Sequence, residues 1–200
     1  MEYIEIELCC SISTTEFYAQ LKENTHSEVL NTYYLEYESL MSDLQKFADK
    51  QPMITSFTPN TPCCAKFDDD ELWYRCLIIE SESVIDSDDV EIKLLFIDYG
   101  NSEYRTVNPQ QCDLYALKTE WFDLPAMSIK CELWNITLAP DVDYSVLIPQ
   151  LNKLYNKQII ATIKDIGEEV ISVELYEDIE RKEVMYNSLI EEGLLKLEAE

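Results

Sequence analysis

The chain has 200 residues, of which 46% are hydrophobic and 11% aromatic, so it can bury a substantial core in one large domain or two small ones. Its formal net charge of -25, from 40 acidic against 15 basic residues, repels nucleic acid and attracts cationic partners. The 13 tyrosines, 3 tryptophans and 6 phenylalanines argue against a disordered chain despite that charge.

The first part of the chain predicts two strands and a long helix. Residues 2–13 alternate between apolar and polar side chains and are rich in isoleucine, and residues 16–22 predict a second strand. Residues 27–49 place apolar side chains at steps of three and four, which predicts an amphipathic helix. Three prolines within residues 50–62 end that helix and predict an extended connection.

Residues 63–117 predict a small antiparallel barrel. Short strand-like segments follow one another and are separated by Asp, Glu and Ser: CCAKF, LWYRCLIIES, VEIKLLFIDYG and SEYRTV. We expect these strands to bend strongly around a common core. Residues 108–117 are typical of a short helical turn.

The remainder of the chain predicts further strands and two helices. A strand is expected over residues 126–136, followed by a helix over 143–156 that is interrupted near Pro149. The segments KQIIATIKDI and EVISVELYED predict two strands hinged at Gly167. A helix over residues 184–197 is expected to follow them.

The two outer parts of the chain are expected to fold together. Neither part has enough strands and helices to form a core alone, so residues 1–49, including the long helix, and residues 118–200 should combine into one barrel-like module. Residues 50–62 would then be a linker. The barrel over residues 63–117 would be inserted between the two halves.

The sequence offers little from which an enzyme site could be assembled. His26 is the only histidine and no GxSxG motif accompanies it, so we expect a surface or helix-capping role for it. The 3 glycines form no phosphate-binding loop, and the few arginines are a poor supply of cations for phosphodiester chemistry. We therefore predict no catalytic residue, no metal site and no cofactor, in a protein that is not an enzyme.

Cysteine use and hydropathy indicate a cellular compartment. The 7 cysteines are odd in number and form no CxxC pair, which favours reduced, mostly buried thiols in a cytosolic protein. No apolar leader follows Met1, and the longest apolar runs are too short to cross a bilayer. We expect a soluble, intracellular protein with no membrane partner and no direct contact with nucleic acid.

The densest group of aromatic and polar side chains lies in the predicted central barrel: Phe67, Trp73, Tyr74, Phe96, Tyr99 and Asn101. A box of ring faces attracts a methylated cation, and an amide at its edge can accept a hydrogen bond from a guanidinium N–H. Strict alternation would place Tyr99 on the opposite face from Phe96, unless the chain bends at Asp98 and Gly100. The pattern alone leaves open whether these rings form a cage or the barrel core, and for Trp73 we expect the core.

The stretch from CCAKFDDDELWYRCLIIES to VEIKLLFIDYGNSEYRTV resembles a Tudor domain, in which A-x-F, WYR and F-[IV]-D-Y-G-N-x-E segments follow in this order. FYAQL, the long helix, LPAMSIKCELWNI, QIIATIKD and VISVELYE resemble the staphylococcal-nuclease-like halves around the Tudor core of extended Tudor domains. The resemblance covers nearly the whole chain. It implies a mainly β fold with some helix (α+β), in which a Tudor SH3-like β-barrel is inserted into a staphylococcal-nuclease-like OB-fold and joined to it by a long helix.

The resemblance also implies a non-catalytic module that binds peptides bearing symmetric dimethylarginine. Typical ligands are the Arg-Gly and Arg-Ala motifs in the tails of PIWI-clade Argonaute proteins. It places the family's four cage aromatics at Phe67, Tyr74, Phe96 and Tyr99, and its guanidinium-binding amide at Asn101. It further implies a scaffold of the piRNA pathway in cytoplasmic, perinuclear germ granules (nuage), with other scaffold subunits as additional partners.

Three residues around the predicted cage are expected to support it. Asp98 should brace the turn or pair with Arg75, since an unpaired buried acid is costly, and Glu103 should be structural. Directly after Phe67 the chain has DDDEL where the family often has a glycine-containing turn, so the position of Phe67 depends on that turn. The acids within residues 68–91 are expected to form a solvated surface or to steer an arginine-rich tail to the cage.

Three other functions remain open. The same groove could bind an unmethylated arginine-rich peptide or another protein subunit. The fold could serve as a nuclease or an RNA-binding barrel, against which the net charge and the few arginines weigh. An aromatic cage also accepts methyl-lysine, although Asn101 favours arginine because trimethyl-lysine has no N–H to donate.

Overall fold

The computed structural model describes residues 3–23, 27–140, 142, 153, 157–178, 180 and 182–198. The chain divides into two compact units, one formed by residues 1–31 with 128–200 and the other by residues 32–127. His26 lies outside the described residues, and so does the predicted helix over 143–156 apart from Lys153. The four-segment division expected from the sequence stays a prediction.

The described chain is mainly β. Its strands are β1 (Tyr3–Ser11), β2 (Glu16–Leu21), β3 (Pro62–Lys66), β4 (Trp73–Ser83), β5 (Val90–Phe96), β6 (Ser102–Val107), β7 (Tyr115–Ala116), β8 (Ser128–Leu133), β9 (Ile136–Leu138), β10 (Gln158–Ile166), β11 (Ile171–Tyr176) and β12 (Leu195–Leu197). Its helices are α1 (Glu28–Phe47), α2 (Thr119–Phe122) and α3 (Asn187–Glu191), and a 3-10 turn over Ala48–Lys50 follows α1.

In the unit formed by the two ends of the chain, five strands close into a barrel in the order β1-β10-β11-β8-β2. Neighbouring strands are antiparallel except for β11 and β8, which are parallel. Alternation along β1 buries Ile4, Ile6 and Leu8, and β11 buries Val173 and Leu175. A closed five-stranded barrel is typical of an OB-fold, and the predicted mainly β fold with a barrel built from both ends is confirmed.

In the unit of residues 32–127, five antiparallel strands form a sheet in the order β6-β5-β4-β3-β7. Their buried side chains share one hydrophobic cluster, to which Ile78, Ile92 and Leu94 belong. A register shift between Ile78 and Glu80 interrupts the ladder between β4 and β5, and such a bulge increases the local twist of a sheet. The small antiparallel barrel predicted over residues 63–117 is thus a twisted five-stranded sheet whose strands share one core cluster.

Helix α1 packs within the same unit as this sheet, through side chains spaced three and four residues apart. Tyr37, Leu40 and Leu44 are its buried residues. Leu40 and Leu44 belong to a second hydrophobic cluster, together with Trp73 and Trp121. Trp73 is thus a core residue, as the sequence predicted.

Gln45 fixes the register of α1 against the start of β4. Its side-chain amide donates to the backbone carbonyl of Trp73 at 2.7 Å, and its side-chain carbonyl accepts from the Trp73 N–H at 2.9 Å. One helical side chain therefore satisfies both backbone groups of the first residue of the strand.

A buried ion pair ties the sheet to the segment that follows it. Arg75 donates through Nε and Nη2 to the two carboxylate oxygens of Asp98, at 2.9 and 2.5 Å. Its remaining donors reach three backbone carbonyls at 2.7 to 3.1 Å, those of Trp121, Leu124 and Pro125. Asp98 also accepts from the N–H of Met127 at 3.0 Å. All five guanidinium N–H groups are satisfied, which offsets the cost of burying side chains that are 0% and 1% exposed.

Two sequence predictions in the second half of the chain are corrected. The helix predicted over residues 184–197 covers only Asn187–Glu191, and Leu195–Leu197 form β12, which pairs with β9. Gly193 lies between them at a φ of 73°, a left-handed conformation that commonly ends a helix. The single strand predicted over 126–136 is two strands, because Asn135 adopts a φ of 51° and turns the chain between them.

The helical turn predicted over residues 108–117 is also shorter than expected. The N–H of Gln111 donates to the carbonyl of Asn108 at 3.0 Å, which closes one turn. Tyr115 and Ala116 form β7 instead, because β3 offers them an edge with which to pair.

We predict that Asp98→Asn destabilises the unit of residues 32–127 by about 3–5 kcal/mol, because Arg75 would stay buried without its anionic partner. Urea unfolding followed by tryptophan fluorescence measures the change, since Trp73 and Trp121 both lie in that unit. Asp88→Asn, at an exposed acid of the same unit, is the matched control and should leave the midpoint unchanged. Equal midpoints for the two variants would contradict the structural role of the pair.

Candidate functional site

Strand pairing brings three aromatic side chains together. Tyr74 lies in β4, Phe96 ends β5, and Phe67 directly follows β3. Because Lys66 pairs with Trp73, Phe67 comes to lie near Tyr74, with 6.4 Å between their ring centroids. The centroid of Phe96 lies 5.2 Å from that of Phe67 and 6.0 Å from that of Tyr74.

Tyr99 joins this cluster through the turn after β5. The N–H groups of Tyr99 and Gly100 both donate to the Phe96 carbonyl, at 3.1 and 2.8 Å, and the Phe96 N–H donates to the Asn101 carbonyl at 2.9 Å. Gly100 has a φ of 81°, which is the left-handed region that glycine enters without strain. The bend brings the ring of Tyr99 to 5.3 Å from that of Tyr74. Tyr99 therefore lies in the same cluster as Phe96, although strict alternation would have separated them.

The four rings stand close to perpendicular to their neighbours. The interplanar angles of the contacting pairs are 87°, 80°, 81° and 89°. Edge-to-face pairs at such distances attract each other, so the cluster holds its shape without a ligand. Phe96 is 1% exposed, whereas Phe67 and Tyr99 are only partly buried. The cluster thus reaches the surface at Phe67 and Tyr99.

The turn DDDEL is organised by Asp70, which the sequence analysis did not single out. The Asp70 carboxylate accepts from the N–H of Leu72 at 3.0 Å and from the hydroxyl of Tyr74 at 2.7 Å. Glu71 has a φ of 61°, so it takes the left-handed conformation that a glycine would adopt easily. The Phe67 N–H donates to the Leu72 carbonyl at 2.9 Å and closes the turn. An aspartate that can accept from the N–H two residues further on is a typical Asx-turn signal, and it could have identified Asp70.

Arg105 holds the chain on both sides of Phe67. Its guanidinium donates to the backbone carbonyl of Lys66 and pairs with Asp68 at 3.3 Å. It also pairs with Glu103. Only 12% of the Arg105 side chain is exposed, so its guanidinium is largely shielded from water, whereas its partner Asp68 is 84% exposed. Glu103 therefore contacts a neighbouring arginine of its own strand.

Helix α1 contributes Tyr37 to the site. Its hydroxyl lies 3.5 Å from the hydroxyl of Tyr99, and the residue is 3% exposed. The two residues are far apart in the sequence, so no local pattern predicts this contact.

Asn101 ends the turn and is partly exposed. Its backbone carbonyl belongs to the hairpin, whereas its side-chain amide makes no hydrogen bond with the residues that the structure describes. The amide oxygen and N–H₂ are therefore available to a ligand.

Burial and then the hydrogen bond to Asp70 raise the pKa of Tyr74 above its ordinary value. Its hydroxyl therefore stays protonated and donates to Asp70, and the ring stays neutral. The ion pair of Arg75 and Asp98 lies on the opposite face of β4 from Tyr74, because successive side chains of a strand alternate.

Metal binding and thiol chemistry have little support in the described residues. Among them, no group of three or more His, Cys, Asp or Glu residues is arranged to hold a metal ion. All seven cysteines are free thiols, and burial raises the pKa of Cys9 and Cys131 to about 12, which makes them poor nucleophiles. In the ranges described, no helix is both long enough and apolar enough to cross a membrane.

Comparison with known proteins identifies the family. The sequence model of the Tudor domain family matches residues 1–135 of this chain. The chain belongs to the Tudor domain family. It is 28% identical over 139 residues to mouse Tudor domain-containing protein 1 and 32% identical over 171 residues to Xenopus laevis Tudor domain-containing 6-like. These matches cover 67% and 82% of this chain but only 11% and 8% of the two relatives, so the chain spans about a tenth of their length.

Solved structures of extended Tudor domains share the fold of this chain. The extended Tudor domain TD3 of mouse TDRD1, in complex with a MILI peptide containing dimethylarginine, has a TM-score of 0.73 and 25% identity, and the match covers 99% of this chain and 94% of that one. An Asp-to-Ala variant of the extended Tudor domain of Drosophila melanogaster Papi, in complex with a Piwi N-terminal R10me2s peptide, has a TM-score of 0.77 and 19% identity, and the match covers 98% of this chain and 100% of that one. The predicted extended Tudor architecture is confirmed.

We predict that Asp70→Ala destabilises this Tudor unit by about 1 kcal/mol, because Leu72 and Tyr74 both lose an acceptor. Thermal and urea unfolding measure the loss. Asp70→Asn should restore part of it, since an amide oxygen can still accept from the Leu72 N–H. Asp69→Ala, at the exposed neighbouring acid, is the control. If Asp70→Ala and Asp69→Ala have the same unfolding midpoint, Asp70 does not organise the turn.

Proposed function

We propose that this Tudor domain binds peptides containing symmetric dimethylarginine and catalyses no reaction. One observation carries the proposal: Phe67, Tyr74, Phe96 and Tyr99 each stand nearly perpendicular to the rings that they contact. The turn that carries Tyr99 also carries Asn101, whose side-chain amide has no hydrogen-bond partner among the described residues. Ring faces attract a methylated guanidinium through their quadrupoles, and its methyl groups lose little when they leave water. The Asn101 oxygen would accept a hydrogen bond from the remaining guanidinium N–H.

Similarity to TDRD1 supports this ligand. Its extended Tudor domain was solved with a dimethylarginine-containing MILI peptide, and it is 25% identical to this chain over nearly its whole length. We propose Arg-Gly and Arg-Ala motifs in the tails of PIWI-clade Argonaute proteins as the specific ligands. Asp98, Arg75 and Glu103 would support the cage without touching the peptide, because each is engaged with its own protein partner.

The proposed cellular role extends beyond this chain. The chain is 30% identical over 137 residues to the Drosophila melanogaster Protein tudor and spans 5% of it. We propose that the full protein acts as a scaffold that gathers methylated Argonaute proteins and other scaffold subunits. Cytoplasmic, perinuclear germ granules (nuage) of the piRNA pathway are the proposed location.

Binding of an unmethylated arginine-rich peptide is the second candidate. The exposed acids of the turn beside Phe67 favour it, because a carboxylate attracts a guanidinium with or without methyl groups. The two candidates differ in the source of affinity, which is the aromatic cage in one and the surrounding negative charge in the other.

Calorimetric titration separates these candidates. One Arg-Gly tail peptide is prepared in unmodified, asymmetric dimethyl and symmetric dimethyl forms, and a trimethyl-lysine version is added. We predict that the symmetric form binds most tightly, with a roughly micromolar Kd, because one small anchor must offset the cost of association. Asn101→Ala should weaken its binding about tenfold, since the charged guanidinium would lose a hydrogen bond.

Gln110→Ala is the matched control, because it removes an exposed amide of the same unit. It should bind like wild type. Equal affinity of wild type and Asn101→Ala for the symmetric form would overturn the assignment of Asn101. Equal affinity for the unmodified and symmetric forms would favour the second candidate.

A further inference from the structure

A second concave surface lies within the unit of residues 32–127. A cavity of about 550 Å³ runs between one side of α1 and the segment 120–125, and we call it the α1 groove. Leu40 and Trp121, at 8% and 5% exposure, give it an apolar floor. Its rim carries four exposed acids: Glu36, Asp43, Glu120 and Asp123. None of the residues that line it is a lysine or an arginine, although the ammonium group of Lys118 lies 4.5 Å from the centre of the Trp121 ring.

Both walls of the α1 groove are fixed by buried contacts. On one side, Leu40 of α1 packs in the same hydrophobic cluster as Trp121. On the other side, the guanidinium of Arg75 holds the backbone carbonyls of Trp121, Leu124 and Pro125. Because these walls are already ordered, binding of a ligand carries little additional free-energy cost for ordering the site.

The four rim acids have no ion-pair partner in the part of the chain that the structure describes. Their carboxylates also take part in no hydrogen bond with those described residues. Glu36 and Asp43 are seven residues apart on α1, so they lie two turns apart along the same side of the helix with Leu40 between them. An apolar floor between acidic edges is complementary to a peptide in which an apolar side chain lies between basic ones.

We propose that the α1 groove is a docking site for unmodified, lysine- or arginine-bearing peptide segments. The apolar side chain of the segment packs on Leu40 and Trp121, and its flanking cations meet the rim carboxylates. The cavity has the volume usual for a ligand pocket, a few hundred Å³. The site does not depend on methylarginine or on the aromatic cage, so the domain would engage two parts of a basic tail by different means.

The test is a nuclear magnetic resonance titration of the labelled full chain at low ionic strength. The probe is a blocked Lys-Lys-Leu-Lys-Lys peptide, with Glu-Glu-Leu-Glu-Glu as the charge-reversed control. We expect the basic peptide alone to shift the backbone amides of residues 36–43 and 120–125. No binding, or shifts confined to other residues, would overturn the proposal.

Two variants with the same change in net charge separate a defined site from general attraction. The groove variant neutralises the rim with isosteric amides: Glu36→Gln, Asp43→Asn, Glu120→Gln and Asp123→Asn. The control neutralises four exposed acids elsewhere in the unit: Glu82→Gln, Asp86→Asn, Asp88→Asn and Glu91→Gln. We expect about tenfold weaker binding in the groove variant and none of that loss in the control. If both variants bind the basic peptide equally weakly, the attraction depends on net charge only and the proposed site is wrong.

Two further variants test the shape and the independence of the α1 groove. Ser39→Trp, at an exposed helical position in the lining, should fill the groove and block the basic peptide. Asn101→Ala should leave the basic peptide bound as in wild type. If Asn101→Ala abolishes its binding, the peptide occupies the cage and the groove proposal fails, whatever the outcome for methylarginine.

Discussion

The pair of Arg75 and Asp98 is the interaction on which the rest of the Tudor unit depends. Each partner directly precedes or follows an aromatic residue of the candidate cage, since Tyr74 precedes Arg75 and Tyr99 follows Asp98. A strand alternates its side chains, so clamping Arg75 on one face orients Tyr74 on the other. Two hydrogen bonds between the side chains bring β4 and the turn after β5 into one register. The buried charges thereby position the rings without contacting the site.

The turn after Phe67 contains a left-handed residue, Glu71, at a place where a glycine would adopt that conformation without strain. A non-glycine residue in the left-handed region costs roughly 1–2 kcal/mol, and Glu71 adopts that conformation. The Asp70 carboxylate offsets the cost by accepting from both a backbone N–H and the hydroxyl of Tyr74. The same carboxylate therefore closes the turn and orients a ring. The sequence predicted that the acids after Phe67 form a solvated surface or steer a ligand. One of them, Asp70, also has a structural role in the turn.

Local patterns predicted much of this fold and part of the site. Alternation located the strands of both units, and the FIDYGN turn with its glycine indicated the bend that brings Tyr99 to Tyr74. Contacts that depend on packing between distant segments were not predictable. The side chain of Tyr37 meets Tyr99 only because α1 packs beside the sheet, and nothing near Tyr37 in sequence encodes that register. The helix predicted over residues 184–197 was wrong at its end for a different reason, because a short apolar run is compatible with a helix and with a strand.

The cage and the α1 groove would attract cations by different physics. A ring quadrupole acts at short range on a cation already stripped of water, so added salt weakens it little. Exposed carboxylates act through long-range fields that salt screens over about 10 Å at 0.1 M ionic strength. A net charge of -25 would gather arginine-rich chains near the whole domain at low salt, whether or not they carry methyl groups. If the domain binds methylarginine as proposed, discrimination against unmodified arginine would have to come from the cage, and it would become clearer as ionic strength rises and the surface attraction weakens.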